Sequence, residues 1–212
     1  MTLVSPLYML RHGETAWNTE RRMQGTKDSA LTDRGRAQAL AMGRTLKVEL
    51  ARTPGPTIFL RSPLGRVRET SEIIGRELGL EPAQWRDDPR LAELSYGQWE
   101  GFSWKEIELT HPTALSDWRA DPHGYCPPGG ETHADLRRRS AEMLAEIIAS
   151  NTRTVVVGHG VSGAVLRGLN LGLDAKAMFV LDKPQDAFFR LTQGAEERIL
   201  AQGLIDALPS AG

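Results

Sequence analysis

An arginine, a histidine and a glycine stand together at Arg11-His12-Gly13, directly after the apolar run Leu7-Tyr8-Met9-Leu10. A neutral imidazole is a candidate nucleophile, and a guanidinium offers a fork of donors suited to phosphoryl oxygens. Glycine lets the backbone turn away at once. The pattern recurs at Gly158-His159-Gly160, which closes the run Thr154-Val155-Val156-Val157. A third apolar run, Thr57-Ile58-Phe59-Leu60, leads into Ser62-Pro63, with Arg66 close behind. Taken singly, each has a bland reading: a strand ending in polar residues, a core histidine, a surface arginine. Two histidine-glycine pairs that both close apolar strands are harder to explain that way. Ligands in α/β proteins bind at the carboxyl ends of parallel strands, where segments distant in sequence meet.

The elements around these residues follow from periodicity and punctuation. A first strand is expected over 3–10. Thr32 should cap a helix over 33–50, with Leu40, Leu46 and Leu50 on its apolar stripe. Ser62 as N-cap and Pro63 at the first helical position predict a second helix reaching Leu78, stopped by Gly79. Arg66 would then tilt back toward the strand ends. Residues 80–130 hold six prolines and four of the five tryptophans. Short helices near 103–110 and 113–119 are expected there, the first opened by the capping box Ser103-x-x-Glu106. A longer amphipathic helix should cover 131–150. The β-branched run 154–157 reads as a central parallel strand, followed by a helix over 161–171. Ala187–Leu191 and Arg198–Ala201 suggest an antiparallel pair at the sheet edge. The expected fold is a three-layer α/β/α sandwich: a mostly parallel sheet, an antiparallel edge strand, and a lid-like insertion over 92–130. Residues 1–212 read as one domain.

Composition narrows the function classes. A 40% apolar and 25% charged chain is ordinary for a globular protein. A net charge of -1 gives no reason to expect nucleic acid or an acidic membrane as partner. Cys126 is the only cysteine, and no signal-like or membrane-spanning run is evident, so a cytoplasmic setting is expected. His12, His111, His123, His133 and His159 lack metal-ligand spacing, and the glycines show no dinucleotide or P-loop pattern. No metal or cofactor is expected.

The chain resembles the histidine phosphatase superfamily, which includes cofactor-dependent phosphoglycerate mutases and small-molecule phosphatases. The matching segments are Arg11-His12-Gly13-Glu14-Thr15 with Trp17-Asn18, then Leu31-Thr32-Asp33-Arg34-Gly35. Further on come Ser62-Pro63-Leu64-Gly65-Arg66, Leu91-x-Glu93 with Tyr96-Gly97-x-Trp99-Glu100-Gly101, and Gly158-His159-Gly160. They occur in the family's order and span most of the chain. The resemblance implies that His12 is a nucleophile forming a phosphohistidine. It further implies that Arg11, Arg66 and His159 bind phosphoryl oxygens and that Glu93 is the general acid and base. Expected substrate contacts are Arg11, Asn18, Gln24, Gly25, Arg66, Tyr96 and Gly160.

Those roles make physical sense. An imidazole avoids the repulsion that an anionic nucleophile would meet from a phosphate dianion, and arginines suit its spread-out charge. A protonated His159 would add a third cation, and the helix start after Gly160 would offer backbone N–H groups. Glu93 must carry a proton to aid an alkoxide leaving group, and Tyr96, Trp99, Phe102 and Trp104 nearby would favour that form. Arg61 occupies a position where the family usually has a small hydroxylic residue; pairing with a surface carboxylate is the expectation.

The expected activity is metal-independent hydrolysis of small phosphate monoesters, the partner being a small phosphorylated metabolite. Two alternatives stay open: a phosphoglycerate mutase and a catalytically silent phospho-ligand-binding protein. Against the mutase, Trp104 stands where mutases place a lysine. Arg119 is also the only arginine between Glu93 and Arg137, where mutases carry a pair.

Overall fold

The computed structural model describes residues 3–203. Six strands form one sheet: β1 (Leu7–Arg11), β2 (Thr57–Arg61), β3 (Trp85–Asp87), β4 (Arg153–Gly158), β5 (Ala187–Thr192) and β6 (Ala195–Leu200). Their order is β3-β2-β4-β1-β5-β6. β1 and β2 flank β4 in parallel, and β3 extends the parallel part beyond β2. β5 and β6 complete the sheet antiparallel, as the sequence suggests. β1 starts after Pro6 rather than at residue 3, because proline has no N–H to give to the ladder.

The apolar runs are continuous because both sheet faces are covered. Along β1, Leu7 and Met9 pack with Met143, Leu144 and Ile147 of α6 (His133–Ser150) and Leu166 of α7 (Gly160–Asn170). Tyr8 and Leu10 point the other way, toward Met42 and Leu46 of α2 (Asp33–Arg52) and Val67 and Ile74 of α3 (Gly65–Leu78). β4 alternates likewise, Val156 to the first layer, Val155 and Val157 to the second. This is the expected three-layer arrangement.

Most predicted helix ends hold. Thr32 accepts from the Gly35 N–H at 3.0 Å, and Gly79 ends α3 in a left-handed conformation with φ 73°. Ser103 and Glu106 form the capping box of α4 (Trp104–Thr110), which leads into α5 (Pro112–Ala120). The start of α3 differs from expectation. The helix begins at Gly65, and Ser62 does not cap it. Asp28, from the loop before α2, accepts from the N–H groups of Gly65 (2.7 Å) and Arg66 (3.2 Å) instead. Three short elements escaped the sequence reading: α1 (Ala16–Thr19), β3, and α8 (Ala175–Val180), capped by Asp174. β3 has only three residues and is held by Trp85 against Phe59, ring centroids 5.4 Å apart.

Candidate active site

The carboxyl ends of β1, β2 and β4 lie in register. Arg11 pairs with Gly158, and Arg61 with Val157. One residue further, His12 N–H donates to Gly158 O (3.0 Å) and Ser62 N–H to Val157 O (3.1 Å). The sheet ladder therefore continues into the residues predicted to do chemistry. Gly13 follows because nothing larger fits: a Cβ there would lie 2.2 Å from Gly35 O, at the start of α2.

His12 is buried, and its two ring nitrogens have different neighbours. Nδ1 lies 2.7 Å from Gly13 O, an acceptor, so Nδ1 carries the proton. Nε2 then presents its lone pair, and the Nε–H of Arg66 approaches it at 3.3 Å. Burial holds this imidazole well below the ordinary histidine pKa, and the charges of Arg11 and Arg66 push in the same direction. It is a neutral base whose Nε2 lone pair is held by the Arg66 Nε–H.

Arg66 is fixed on every side. Its guanidinium donates to Lys27 O (2.7 Å), Gly25 O (2.8 Å) and Asp28 Oδ1 (2.9 Å). Asp28 thus does two jobs, capping α3 and orienting the arginine in its first turn. The loop bearing Gly25 is tied down by buried Glu100, which accepts from the Thr26 N–H (2.9 Å), the Tyr96 N–H (3.0 Å) and the Ser95 hydroxyl (3.1 Å). Gly25 has φ +54°, and a Cβ would lie 2.1 Å from Glu100 Oε1, so this contact requires glycine.

His159 sits beside His12, ring centroids 5.4 Å apart and edge to face. Its Nε2 is 2.7 Å from the Ser62 hydroxyl, while its Nδ1 is buried without a partner. The protonated state expected for His159 does not fit these surroundings. Burial comes first, then the charge of Arg66, and together they hold its pKa well below the ordinary value. With these neighbours it is a neutral hydrogen-bonding group. Arg11 donates to Lys183 O (2.5 Å), and its Nε–H is buried with no partner. Two unpartnered polar atoms on adjacent residues mark a place for acceptor or donor groups of a ligand.

Glu93 is where the structure departs furthest from the sequence reading. Its carboxylate accepts from three backbone N–H groups: Leu94 (3.0 Å) and Ser162 (2.8 Å) to Oε1, Val161 (3.0 Å) to Oε2. Two of those donors are the α7 N–H groups expected to serve the phosphate. The helix start holds the Glu93 carboxylate instead, a placement that the positive end of the helix favours. Arg139 on α6 secures the backbone of the same loop, donating to Arg90 O (2.7 Å), Ala92 O (2.8 Å) and Glu93 O (3.1 Å).

An open cavity of about 380 Å³ exposes His12, Arg11, Arg66 and Glu93, with Asn18, Gln24, Gly25 and Tyr96 also on its wall. Asn18 Oδ1 accepts from Gln185 Nε2 (3.1 Å), which also donates to His12 O. Burial, then the charge of Glu93, raises the Tyr96 phenol, so it stays a neutral donor. His159 and Gly160 do not line this cavity; with Arg11 they border an enclosed space of about 20 Å³ behind it. Arg61 pairs with Asp87 (2.6 Å) and the Ser71 hydroxyl (3.0 Å), as expected of a structural arginine. Among the described residues no group of three or more His, Cys, Asp or Glu side chains could hold a metal ion. No helix among them is long and apolar enough to cross a membrane.

The two most strongly depressed histidines, His12 and His159, with His133 lowered less by burial, predict how stability varies with pH. Below about pH 6.5 the unfolded chain takes up two protons that the folded chain refuses. Stability should therefore be complete above that pH and fall on acidification, by up to about 1.4 kcal/mol per pH unit for each histidine. Urea midpoints measured from pH 7.5 to 5 without phosphate should decline, and a flat profile would contradict the neutral assignments.

Sequence and structure comparisons identify relatives of this chain. A probable phosphoglycerate mutase from Klebsiella pneumoniae is 38% identical over 182 residues, covering 81% of this chain and 77% of the relative. A glucosyl-3-phosphoglycerate phosphatase from Mycobacterium tuberculosis is 35% identical over 164 residues, covering 73% and 70%. The solved structure of a mycobacterial glucosyl-3-phosphoglycerate phosphatase with VO3 superposes with a TM-score of 0.74 at 31% identity, covering 93% of this chain and 97% of that one. The α-ribazole phosphatase from Shigella flexneri shares the fold, with a TM-score of 0.77 at 22% identity, covering 93% of this chain and 96% of that one. The histidine phosphatase superfamily (branch 1) matches residues 7–201, and the chain belongs to that family.

Proposed function

We propose that the chain hydrolyses small-molecule phosphate monoesters through a phosphohistidine on His12. The observation that carries this reading is the tautomer: Nδ1–H is committed to Gly13 O, so the lone pair is on Nε2, where it accepts from Arg66 at the cavity wall until a phosphoryl group takes that donor. Nε2 attacks phosphorus as the ester P–O bond breaks, while Arg11 and Arg66 take up the charge on the equatorial oxygens. The leaving oxygen receives its proton from Glu93. The substrate supplies that proton by binding as the monoanion (second pKa about 6). In the second step Glu93 takes a proton from water as the water attacks phosphorus and the P–N bond breaks, which restores His12. His159, held by Ser62 and edge to face with His12, positions the nucleophile from outside the cavity. Segment 92–130, read as a lid within one domain spanning 1–212, contributes Glu93, Tyr96 and Trp104 to the wall.

Hydrolysis is favoured over phosphoryl transfer between glycerate positions. Trp104 stands in the wall where a mutase needs a cation to keep its second anionic ligand through the reaction. Water is then the acceptor. Incubation with an aryl phosphate should release phosphate, unaffected by EDTA, and faster at mildly acidic than at alkaline pH. Loss of activity with EDTA, or isomerisation of 3-phosphoglycerate faster than its hydrolysis, would contradict this reading.

A further inference from the structure

We propose that Arg21 gives the cavity a preference for phosphate monoesters that carry a second anionic group, a carboxylate or another phosphate, on their organic part. This rests on the reading that the cavity takes a phosphate monoester. The charges around the cavity are mostly spoken for. Arg66 is bound to Asp28, and Arg22 to Glu20 and Glu106, both at 2.6 Å. Arg21 also lines the cavity, is exposed, and among the described residues makes no ion pair and no side-chain hydrogen bond. Arg11, the remaining cation there, donates to Lys183 O and is assigned to the phosphoryl group, so among the described residues Arg21 is the cation on that wall with neither partner nor role.

Its backbone supports the assignment. Arg21 has φ 55°, in the left-handed region, and the only other described non-glycine residue with positive φ is Asn151, which ends α6. Asparagine tolerates that conformation, whereas arginine gains nothing local from it. Glycine would fit at less cost, so the presence of a long cationic side chain at a strained rim position calls for a use of the side chain. The nearby wall suits the rest of such a substrate. Trp104 packs against Trp118 (ring centroids 4.6 Å apart) yet remains 41% exposed, and Trp17 lies on the same cavity. A single guanidinium open to water selects a ligand without retaining it through a two-step transfer, so this subsite is compatible with hydrolysis.

The test measures binding of phenylphosphonate and of its meta- and para-carboxy derivatives by calorimetry, to the wild type and to Arg21→Gln and Arg21→Gly, with aryl phosphate hydrolysis followed in parallel. The wild type should prefer a carboxylated ligand by about fivefold, the upper range for an exposed charge pair, and both variants should lose that preference. Arg21→Gly should unfold at the same or a higher temperature, which a merely structural arginine would not allow. No carboxylate preference in the wild type, or a preference that survives in both variants, overturns the proposal. Preference without hydrolysis overturns the phosphatase reading alone, and binding of no phosphonate overturns both.

Discussion

Replacing His12 with alanine should lower turnover of any phosphate monoester on the order of 10⁴-fold or more, because no other described group can form the intermediate. Glu93 is held by backbone N–H groups, and His159 lies outside the open cavity. Ser62, the nearest hydroxyl to that imidazole, is buried. The variant should fold. Arg66 keeps Lys27 O, Gly25 O and Asp28, and Gly13 keeps its N–H bond to Thr70 (3.1 Å). Removing a histidine that must stay neutral should also make the variant less acid-sensitive than the wild type. A turnover assay and a urea titration on the same preparation separate lost chemistry from lost structure. Activity within tenfold of wild type would remove His12 from the nucleophile role.

Glu93→Gln should cut turnover by about 10²- to 10⁴-fold, the usual share of a general acid and base. With an activated aryl phosphate the first step needs little acid, so phosphoenzyme should accumulate and decay slowly. The structure adds a second effect. An amide has one acceptor oxygen and one donor nitrogen, and three N–H groups converge on this position. At least one donor then faces a donor, at a cost of about 1–3 kcal/mol in stability. A Glu93→Gln enzyme that is as stable as wild type would show that the loop re-pairs those groups. One that is also fully active would remove Glu93 from the mechanism.

The sequence showed the outline of the site because its cues are local. Apolar runs end at Arg11, Arg61 and Gly158, caps sit at Thr32 and Ser103, and glycine stops α3. What it concealed depends on loops that meet only after folding. Ser62 followed by proline looks like a helix cap, yet its hydroxyl holds His159 and the capping falls to Asp28, over thirty residues away. Glu100 lay within a recognised motif, but nothing local shows that its carboxylate binds the loop carrying Gly25. Arg139 looks like any helix-surface arginine until Glu93's backbone is seen on it. Protonation of His159 was misjudged for a related reason: a phosphate pocket suggests a cation, while burial beside two guanidiniums forbids one before ligand arrives. The tryptophans divided as well. Trp99 is wholly buried and stacks with Tyr125 (5.6 Å), whereas Trp104 reaches the cavity.

The mechanism is tested most directly by quenching the enzyme during turnover of a labelled aryl phosphate and locating the label. One phosphoryl group is expected on Nε2 of His12, stable in alkali, lost in acid, absent from His12→Ala and longer-lived in Glu93→Gln. Label that survives acid, maps to another residue or persists without His12 would contradict it.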